Sequence, residues 1–516
     1  MLSLAAAADS FQALDLIDKI QRLGVAYHFK DEIENILQRV YNDDDHTHFF
    51  DQNDRFKNNN YADLCYISLR FRLLRQAGYY VSTDVFKKFK DEKSEFHANL
   101  ASDVQGMLSL YEASYLGFCG EDIMDEAMGF STKHLASMLT SCSISSSLVV
   151  QAEHALAMPI HSSVERLYAK QYISIYQQLQ ADICQNKTVL YEFAKLDYNA
   201  LQFLHQKEIS EVQAWWKHLN IRSKLHFDVR DRVVEAYAIT NSINFEPQFS
   251  LERKYLAKLW NILTVIDDAF DVFCNLREAG QLYDAFQRWD TQSTNELSPQ
   301  MKVIFLEALK LFDEIEKELI KGASSAGASY FRNQMQLHIK FLWEEIKLML
   351  SGSMPAFEEW FSITIQNGGH YIFLIVQTMN MGELNTQKVI DWTAASMPKI
   401  IKYSNISNRL AGDIASLKLE QARGTKVQCV PCYMRDYGVS ESEAIENFQK
   451  ILTKLQKVKN EEGLRVHPVP MRIIKNILNF NRALALYYIK SGDGHSVSNG
   501  RTKQIITSLF IDPISE

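Results

Sequence analysis

Two aspartates at helical spacing are the residues of this chain best suited to binding a cation. Asp267 and Asp271 belong to the run Asp267-Asp268-Ala269-Phe270-Asp271, which follows the apolar stretch 259–266. In a helix, residues four apart lie one turn apart on one face, so both carboxylates point the same way. Facing carboxylates repel unless a cation joins them, and Mg²⁺ prefers carboxylate oxygen, often together with substrate phosphate. The pattern predicts a metal site at the edge of an apolar helix face.

A pair of arginines upstream could hold the anion that such a metal accompanies. Arg230 and Arg232 flank Asp231. The guanidinium group matches two phosphate oxygens and keeps its charge at any physiological pH. Taken alone, this triplet is as well explained by a surface cluster of salt bridges, and that simpler interpretation is favoured.

A third group lies further along, where Ser416 and Glu420 are spaced one helical turn apart and Gly412 precedes them by another turn. A hydroxyl and a carboxylate on one helix face could form a second site of oxygen ligands. By itself, an exposed polar face explains this spacing better.

Helices must position these groups, because helix-compatible spacing of apolar residues dominates the chain and the first proline is Pro159. The positions Phe305, Leu309, Phe312 and Leu319, for example, predict an amphipathic helix that ends before a loop over 322–327. We therefore predict an all-α protein. Its 516 residues favour two domains rather than one.

Composition excludes several classes of function. A net charge of -8 without a basic segment argues against nucleic-acid binding. The chain contains no run of eighteen apolar residues, so no transmembrane segment is expected. Its seven cysteines are odd in number and scattered, which favours reduced thiols inside a cell. The pair Cys429 and Cys432 has CxxC spacing, but without a βαβ pattern a redox or metal role is the less favoured interpretation.

The order and spacing of the three groups resemble a plant class I terpene synthase of the monoterpene and sesquiterpene family, and the resemblance covers nearly the whole chain. The motifs that carry it are Arg230-Asp231-Arg232-Val233-Val234-Glu235, Asp267-Asp268-Ala269-Phe270-Asp271, the stretch Asp413 to Glu420 followed by Gln421-Ala422-Arg423-Gly424, Gly492-Asp493-Gly494-His495, Phe510-Ile511-Asp512-Pro513-Ile514 and, in the N-terminal half, the segments 16–24 and 73–79.

The resemblance implies two α-helical domains, a relic N-terminal one over 1–190 and a catalytic one over 191–516. It implies three Mg²⁺ ions, with Mn²⁺ as a substitute. The implied metal-binding set is Asp267, Asp268, Asp271, Asp413, Ser416 and Glu420. The implied catalytic and substrate-binding residues are Arg230, Arg232, Arg409, Tyr488, Asp493, Asp267, Asp271, Ile239 and His495. The expected reaction is ionisation of a prenyl diphosphate with release of diphosphate.

Three positions depart from the family pattern. Gly412 stands where Asn or Asp usually begins the second metal motif, and Asp413 lies about 100° round the helix, so it does not simply replace that ligand. A water in the vacant position, with weaker metal binding, is expected. Ile239 and His495 stand where the family often has aromatic residues, whose faces stabilise cations.

These departures favour an acyclic monoterpene such as linalool, myrcene or ocimene from geranyl diphosphate. The alternatives are a sesquiterpene synthase acting on farnesyl diphosphate, with a nerolidol or farnesene type of product, and a cyclic monoterpene. More distant alternatives are a prenyltransferase and a catalytically silent terpenoid-binding protein. We expect a monomer, located in plastids if the product is a monoterpene and in the cytoplasm otherwise.

Overall fold

The computed structural model describes residues 10–42, 60–139, 146–183, 189–227, 229–395, 397–489, 492–494, 497 and 500–515. The prediction of an all-α protein is confirmed. Apart from an isolated bridge between Lys90 and Phe96, the described β structure is one ribbon formed by β1 (Tyr488–Ile489) and β2 (Gly492–Asp493), which pair antiparallel. Among the described helices, none is both long and apolar enough to cross a membrane.

The chain folds as two compact units. The first comprises Met1–Leu201, Asn460–Arg465 and Pro513–Glu516, and the second comprises Gln202–Lys459 and Val466–Asp512. The domain division 1–190 and 191–516 stays a prediction.

The first unit is built from helices around one apolar core. Its helices are α1 (Ser10–Arg22), α2 (Lys30–Asn42), α3 (Asn60–Gln76), α4 (Val104–Ser114), α5 (Asp122–Met138), α6 (Ser146–Ala157), α7 (Glu165–Ile183) and the first part of α8 (Val189–Leu219). The pattern of α1 shows how they form: Ala13, Leu14, Ile17 and Ile20 are buried at helical spacing.

The second unit is also helical. Its remaining helices are α9 (Ile221–Lys224), α10 (Val233–Ile243), α11 (Ser250–Asp268), α12 (Leu276–Arg288), α13 (Pro299–Gly322), α14 (Ser325–Met349), α15 (Phe357–Thr364), α16 (His370–Val376), α17 (Glu383–Ala395), α18 (Lys399–Arg423), α19 (Cys429–Tyr437), the part of α20 (Glu441–Leu464) that precedes Asn460, α21 (Met471–Tyr487) and α22 (Gly500–Phe510).

The amphipathic helix predicted around residue 312 is α13. It begins with a proline, buries Phe305, Phe312 and Leu319, and leaves Leu309 only partly buried. The loop predicted over 322–327 is shorter than expected, because the Ser324 side chain accepts a hydrogen bond from the Gly327 N–H and starts α14.

Candidate active site

A cavity of about 940 Å³ in the second unit brings the predicted groups together. Its lining includes the predicted site residues Arg230, Asp267, Asp268, Asp271, Arg409, Gly412, Asp413, Ser416, Glu420, Tyr488 and Asp493. A cavity with apolar walls and a few convergent polar groups is the usual form of a small-molecule site.

The aspartates lie where the backbone changes from α to π geometry. The last residue of α11 is Asp268, and Ala269–Phe273 form a π-helical turn in which the Cys274 N–H donates to the Ala269 carbonyl at 2.9 Å. Asp271 is therefore on a wider turn than the α-helical spacing predicted. Such π turns occur frequently at functional sites.

The three aspartates have different surroundings. Asp268 is buried and accepts two hydrogen bonds from Arg230, one of them 3.1 Å from Nε to Oδ2. This paired geometry fixes the guanidinium group at the cavity wall. Asp267 lies farther from the same arginine, with 3.7 Å between Oδ2 and Arg230 Nη2. Asp268 is thus positioned to orient Arg230, whereas Asp267 and Asp271 face the cavity.

The cavity-facing carboxylates are unfavourable neighbours in the absence of a cation. Burial raises the pKa of Asp267 to about 7, and Asp268 and Glu345 add to the shift. Burial, followed by Asp267 and Glu345, holds the pKa of Asp271 well above its usual range. Asp271 keeps an exposed side chain, so water in the cavity reduces this effect without changing its sign.

These carboxylates fit a divalent cation that shares its ligands with a substrate. Crowded carboxylates are stabilised by a positive charge between them. Among the described residues, no group of three His, Cys, Asp or Glu side chains is close enough to hold a metal ion by itself. Mg²⁺ commonly takes one or two carboxylates and completes its shell with water and phosphate oxygen, so a diphosphate would supply what the protein lacks.

The facing wall of the cavity is one stripe of α18. Asn405, Arg409, Gly412, Ser416 and Glu420 follow each other at spacings of four, three, four and four residues, and all five line the cavity. The hydroxyl and the carboxylate predicted to form a second oxygen site are therefore on one face, as expected.

Glu420 has partners of its own. Its carboxylate accepts hydrogen bonds from Arg423 Nη1 at 2.7 Å and from Thr425 Oγ1 at 3.1 Å. Both partners line the cavity next to it. The carboxylate is thus held at the rim of the cavity by residues that end α18.

Asp413 points to Arg409 and the backbone. Its Oδ1 lies 2.6 Å from Arg409 Nη2, and its Oδ2 accepts the Cys429 N–H at 3.1 Å. With 4 % of its surface exposed, it serves as an orienting partner of Arg409 in this structure. Its role as a metal ligand stays a prediction. The thiols of Cys429 and Cys432 are both free and buried.

The ribbon places Tyr488 and Asp493 opposite each other at the cavity wall. Tyr488 also lies beside Gly412: a Cβ built on this glycine would be 3.5 Å from the nearest carbon of the tyrosine ring. A small side chain fits at residue 412, and Tyr488 covers the space beyond it.

Two of the predicted site residues are not among the described residues that line the cavity, and a third lies outside the described part of the chain. Ile239 is fully buried in α10 and is not among the described residues that line the cavity. Arg232 is absent from the same described lining and donates to the Asp231 carbonyl at 3.2 Å. His495 lies outside the described residues.

Sequence reasoning missed an aromatic wall and an acid. Trp260 stacks on Phe373 with ring centroids 5.2 Å apart, and Phe480 meets both rings edge-on. All three line the cavity. Trp260 precedes Asp267 by seven residues, so helical spacing could have identified it.

Glu345 of α14 also lines the cavity, and it accepts a hydrogen bond from Asn367 Nδ2 at 2.5 Å. Its place near the aspartates depends on the packing of α14 against the π turn. Nothing in its local sequence indicates that packing.

Comparison with known proteins agrees with this geometry. The chain matches the family described as "Terpene synthase family, metal binding domain" over residues 217–458 and the one described as "Terpene synthase, N-terminal domain" over residues 1–156. It is 40% identical over 507 residues to sesquiterpene synthase 2 of Toona sinensis. The aligned region covers 98% of this chain and 88% of that protein.

Two further similarities span nearly the whole chain. Valencene synthase of Vitis vinifera is 39% identical over 513 residues, 99% of this chain and 89% of that protein. The crystal structure of isoprene synthase from grey poplar leaves, in complex with three Mg²⁺ ions and dimethylallyl-S-thiolodiphosphate, has a TM-score of 0.85 and 32% identity, covering 99% of this chain and 94% of that one. The chain belongs to the terpene synthase family and is a lyase of that class.

Proposed function

We propose that this chain converts farnesyl diphosphate into a sesquiterpene by Mg²⁺-dependent ionisation and release of diphosphate. The observation that carries the proposal is that one cavity is lined by the carboxylates of Asp267 and Asp271, by Ser416 and Glu420 of α18 and by aromatic rings. Farnesyl diphosphate replaces geranyl diphosphate, the substrate favoured by the sequence, because a relative 40% identical over nearly the whole chain is named a sesquiterpene synthase.

The metal would be held from two sides. Asp267 and Asp271 offer oxygen ligands from α11 and its π turn, and Ser416 and Glu420 offer them from α18. Three ions are proposed, the number present in the isoprene synthase complex, with Mn²⁺ as a substitute. Bound Mg²⁺ supplies positive charge that stabilises the departing diphosphate.

The arginines hold the diphosphate in place. Arg230 is fixed by Asp268, and Arg409 is fixed by Asp413, so each guanidinium group is oriented before the substrate arrives. Such preorganisation makes charge stabilisation effective, because no reorganisation is needed as the bond breaks. Arg232 is kept as a third candidate for the same role.

The aromatic wall would stabilise the carbocation left behind. Trp260, Phe373 and Phe480 present rings to the cavity, and each cation–π contact is worth on the order of 1 to 2 kcal/mol. The expectation of an acyclic product relied partly on Ile239, which is not among the described lining residues. The proposal therefore includes cyclic as well as acyclic sesquiterpenes.

Product analysis tests this proposal. Purified protein is given geranyl or farnesyl diphosphate separately with Mg²⁺, and products are identified by gas chromatography. We expect a higher kcat/KM with farnesyl diphosphate, and Asp271→Asn should lower it with either substrate. A preference for geranyl diphosphate would favour a monoterpene synthase. Consumption of added isopentenyl diphosphate would instead indicate a prenyltransferase.

The remaining expectations follow from this substrate. A sesquiterpene synthase is proposed to act in the cytoplasm, whereas a plastid location would accompany a monoterpene product. A monomer is proposed, and its mass in solution can be measured by light scattering.

A further inference from the structure

We propose that His338 is a catalytic residue of this chain: its imidazole takes up the proton that the carbocation loses at the end of the reaction, so that the main product is a hydrocarbon. The inference rests on the proposed function and adds to it a proton acceptor and a product class. It is carried by the place of this side chain in the cavity, away from the groups proposed to bind metal and diphosphate.

His338 faces the cavity from α14. It is 9 % exposed, and it is the only histidine among the described residues that line the cavity. Glu345 lies seven residues later on the same helix, and two helical turns bring both side chains onto one face. The cavity side of α14 therefore presents an acid near the aspartates and, two turns away from it, a histidine.

The imidazole lies at the level of the aromatic wall rather than of the aspartates. Glu345 lies near Asp267. Each of these acids is preceded, seven residues earlier, by a ring that lines the cavity: His338 on α14 and Trp260 on α11. Seven residues correspond to about 10 Å of helix. Both rings are thus placed along the hydrocarbon part of a substrate whose diphosphate is bound at the acidic end.

The packing of this ring leaves one nitrogen for a substrate. His338 Nδ1 is closed to solvent and has no hydrogen-bond partner within the described part of the chain. Burial of a polar group without a partner costs free energy, so a group of this kind in a native protein calls for a functional explanation. With its hydrogen on the enclosed Nδ1, the neutral ring presents a lone pair at Nε2.

The ring is uncharged, as a proton acceptor must be. Burial lowers the pKa of His338 to about 4. An imidazolium ion in this place would repel a carbocation, whereas the neutral ring offers it a lone pair.

The carboxylates of the metal-binding motifs are engaged elsewhere. Asp268 and Asp413 pair with arginines, and Asp267 and Asp271 are proposed to bind metal. A carboxylate that neutralises a cation is a weaker proton acceptor, because protonation would break that interaction. The imidazole of His338 has no such competing task.

The proton transfer balances without another reactant. The C–H bond beside the cationic carbon breaks, its electron pair forms a C=C bond, and the proton joins His338 Nε2. A carbocation is far more acidic at that position than an imidazolium ion, so the transfer is favourable even with the lowered pKa. Once the product leaves and water enters the cavity, the imidazolium ion releases the proton to water and the neutral ring is restored.

The first experiment identifies the products that the unmodified protein forms from farnesyl diphosphate with Mg²⁺. We expect a hydrocarbon as the main product in gas chromatography. Formation of alcohols alone would contradict this inference while leaving the proposed function intact. Absence of any conversion would overturn the proposed function and this inference together.

The second experiment replaces the ring. His338→Phe keeps a ring of similar volume without nitrogen, and diphosphate release should continue at close to the parent rate. The share of the main hydrocarbon among all products should fall by about tenfold or more, because a positioned base contributes on the order of 10²- to 10⁴-fold and weaker acceptors replace only part of this. A product profile like that of the parent would overturn the inference.

The matched control is His154→Phe in α6. Burial also lowers the pKa of His154 to about 4, but this residue is not among the described residues that line the cavity. The same substitution should therefore leave the product profile unchanged. The profile is a ratio of products from folded, active protein, so partial unfolding of either variant does not affect it.

A third measurement separates proton transfer from cavity shape. His338→Ala is assayed with added imidazole or with pyrrole, a ring of the same size without a basic nitrogen. We expect imidazole to restore the share of the main hydrocarbon and pyrrole to leave it low. Equal effects of the two rings would mean that His338 only shapes the cavity, and the assignment of the proton acceptor would be wrong.

Discussion

The aspartate-rich wall of the cavity divides its acidic residues between two tasks. Asp268 holds Arg230, while Asp267 and Asp271 present oxygens toward the cavity. On α18, by contrast, Asp413 holds Arg409 and Glu420 pairs with Arg423. A carboxylate that is already bonded to a guanidinium group is a poorer metal ligand, because part of its charge is neutralised. We propose that, on the aspartate-rich wall, metal binding and anion binding fall to different side chains of the same short motif.

Gly412 has no side chain that could bind a metal ion, so α18 is the wall where one expected metal ligand is missing. Gly412→Asn should lower the Mg²⁺ concentration that gives half-maximal activity, because the amide oxygen adds a ligand to the weaker wall. Steady-state rates measured over a Mg²⁺ titration give this concentration directly.

The matched control is Gly412→Ala. Its Cβ would lie 3.5 Å from the Tyr488 ring, so it fits without adding a ligand and should leave the titration unchanged. If Asn and Ala behave alike, the missing ligand does not limit metal binding, and the expectation of a water in its place is wrong.

At the scale of the elements, the apolar spacing of residues predicted the helices well but not their irregularities. The helix α13 was expected from its buried positions, because burial alone sets that pattern. The π turn at Ala269–Phe273 could not be expected from the sequence. A π turn differs from an α turn in which carbonyl each N–H contacts, and this difference requires no change of residue type.

The cavity-lining face of α18 could be predicted for the same reason as α13: its residues repeat at helical spacing. The positions of Glu345 and Phe480 in the cavity could not be predicted in this way, because these residues reach the cavity from two other helices, α14 and α21. Spacing within one helix contains no information about which other helices pack against it. Packing, rather than local pattern, decided that part of the site.

The helix α20 carries a buried amine whose charge should affect stability. Burial lowers the pKa of Lys459 to about 7, below its ordinary value near 10.5 in the unfolded chain. Between these values the unfolded state binds the extra proton, so Lys459 makes the protein more stable as pH rises from 7 toward 10. The slope is at most about 1.4 kcal/mol per pH unit.

Lys459→Met should remove this slope and raise the unfolding midpoint near pH 7. Thermal unfolding of parent and variant at pH 7, 8 and 9 measures it, and their difference cancels the titration of other groups. The control is Lys450→Met on the same helix, since Lys450 is exposed. Equal pH slopes for parent and Lys459→Met would show that the buried amine stays charged with adequate partners.

At the scale of the molecule, the two units are not two consecutive pieces of chain. Residues 460–465, in the second half of the sequence, belong to the first unit. The family matches end at residues 156 and 458, and neither includes this segment. A single boundary between two domains could be predicted from the sequence. The return of a later segment to the first unit could not be predicted, because its contacts are with residues far away in the sequence.

Asn460 makes that returning segment part of the first unit's core. Its Nδ2 donates to the carbonyls of Tyr115 at 2.7 Å and Gly117 at 3.1 Å, and its Oδ1 lies 2.9 Å from His161 Nε2. Asn460→Ala would leave these buried groups without this partner, at a cost of about 1–3 kcal/mol.

We therefore expect Asn460→Ala to lower the thermal unfolding midpoint and to speed proteolytic cleavage of the first unit. Both can be followed on the full chain by scanning fluorimetry and timed digestion. Lys450→Ala is the control, because this side chain on the same helix is exposed and pairs with Glu446 at the surface, where ion pairs contribute little. Equal midpoints for the two variants would mean that the first unit holds its core without the returning segment. A lower midpoint for Asn460→Ala alone would mean that residues 1–201 depend on a segment more than 250 residues further along the chain.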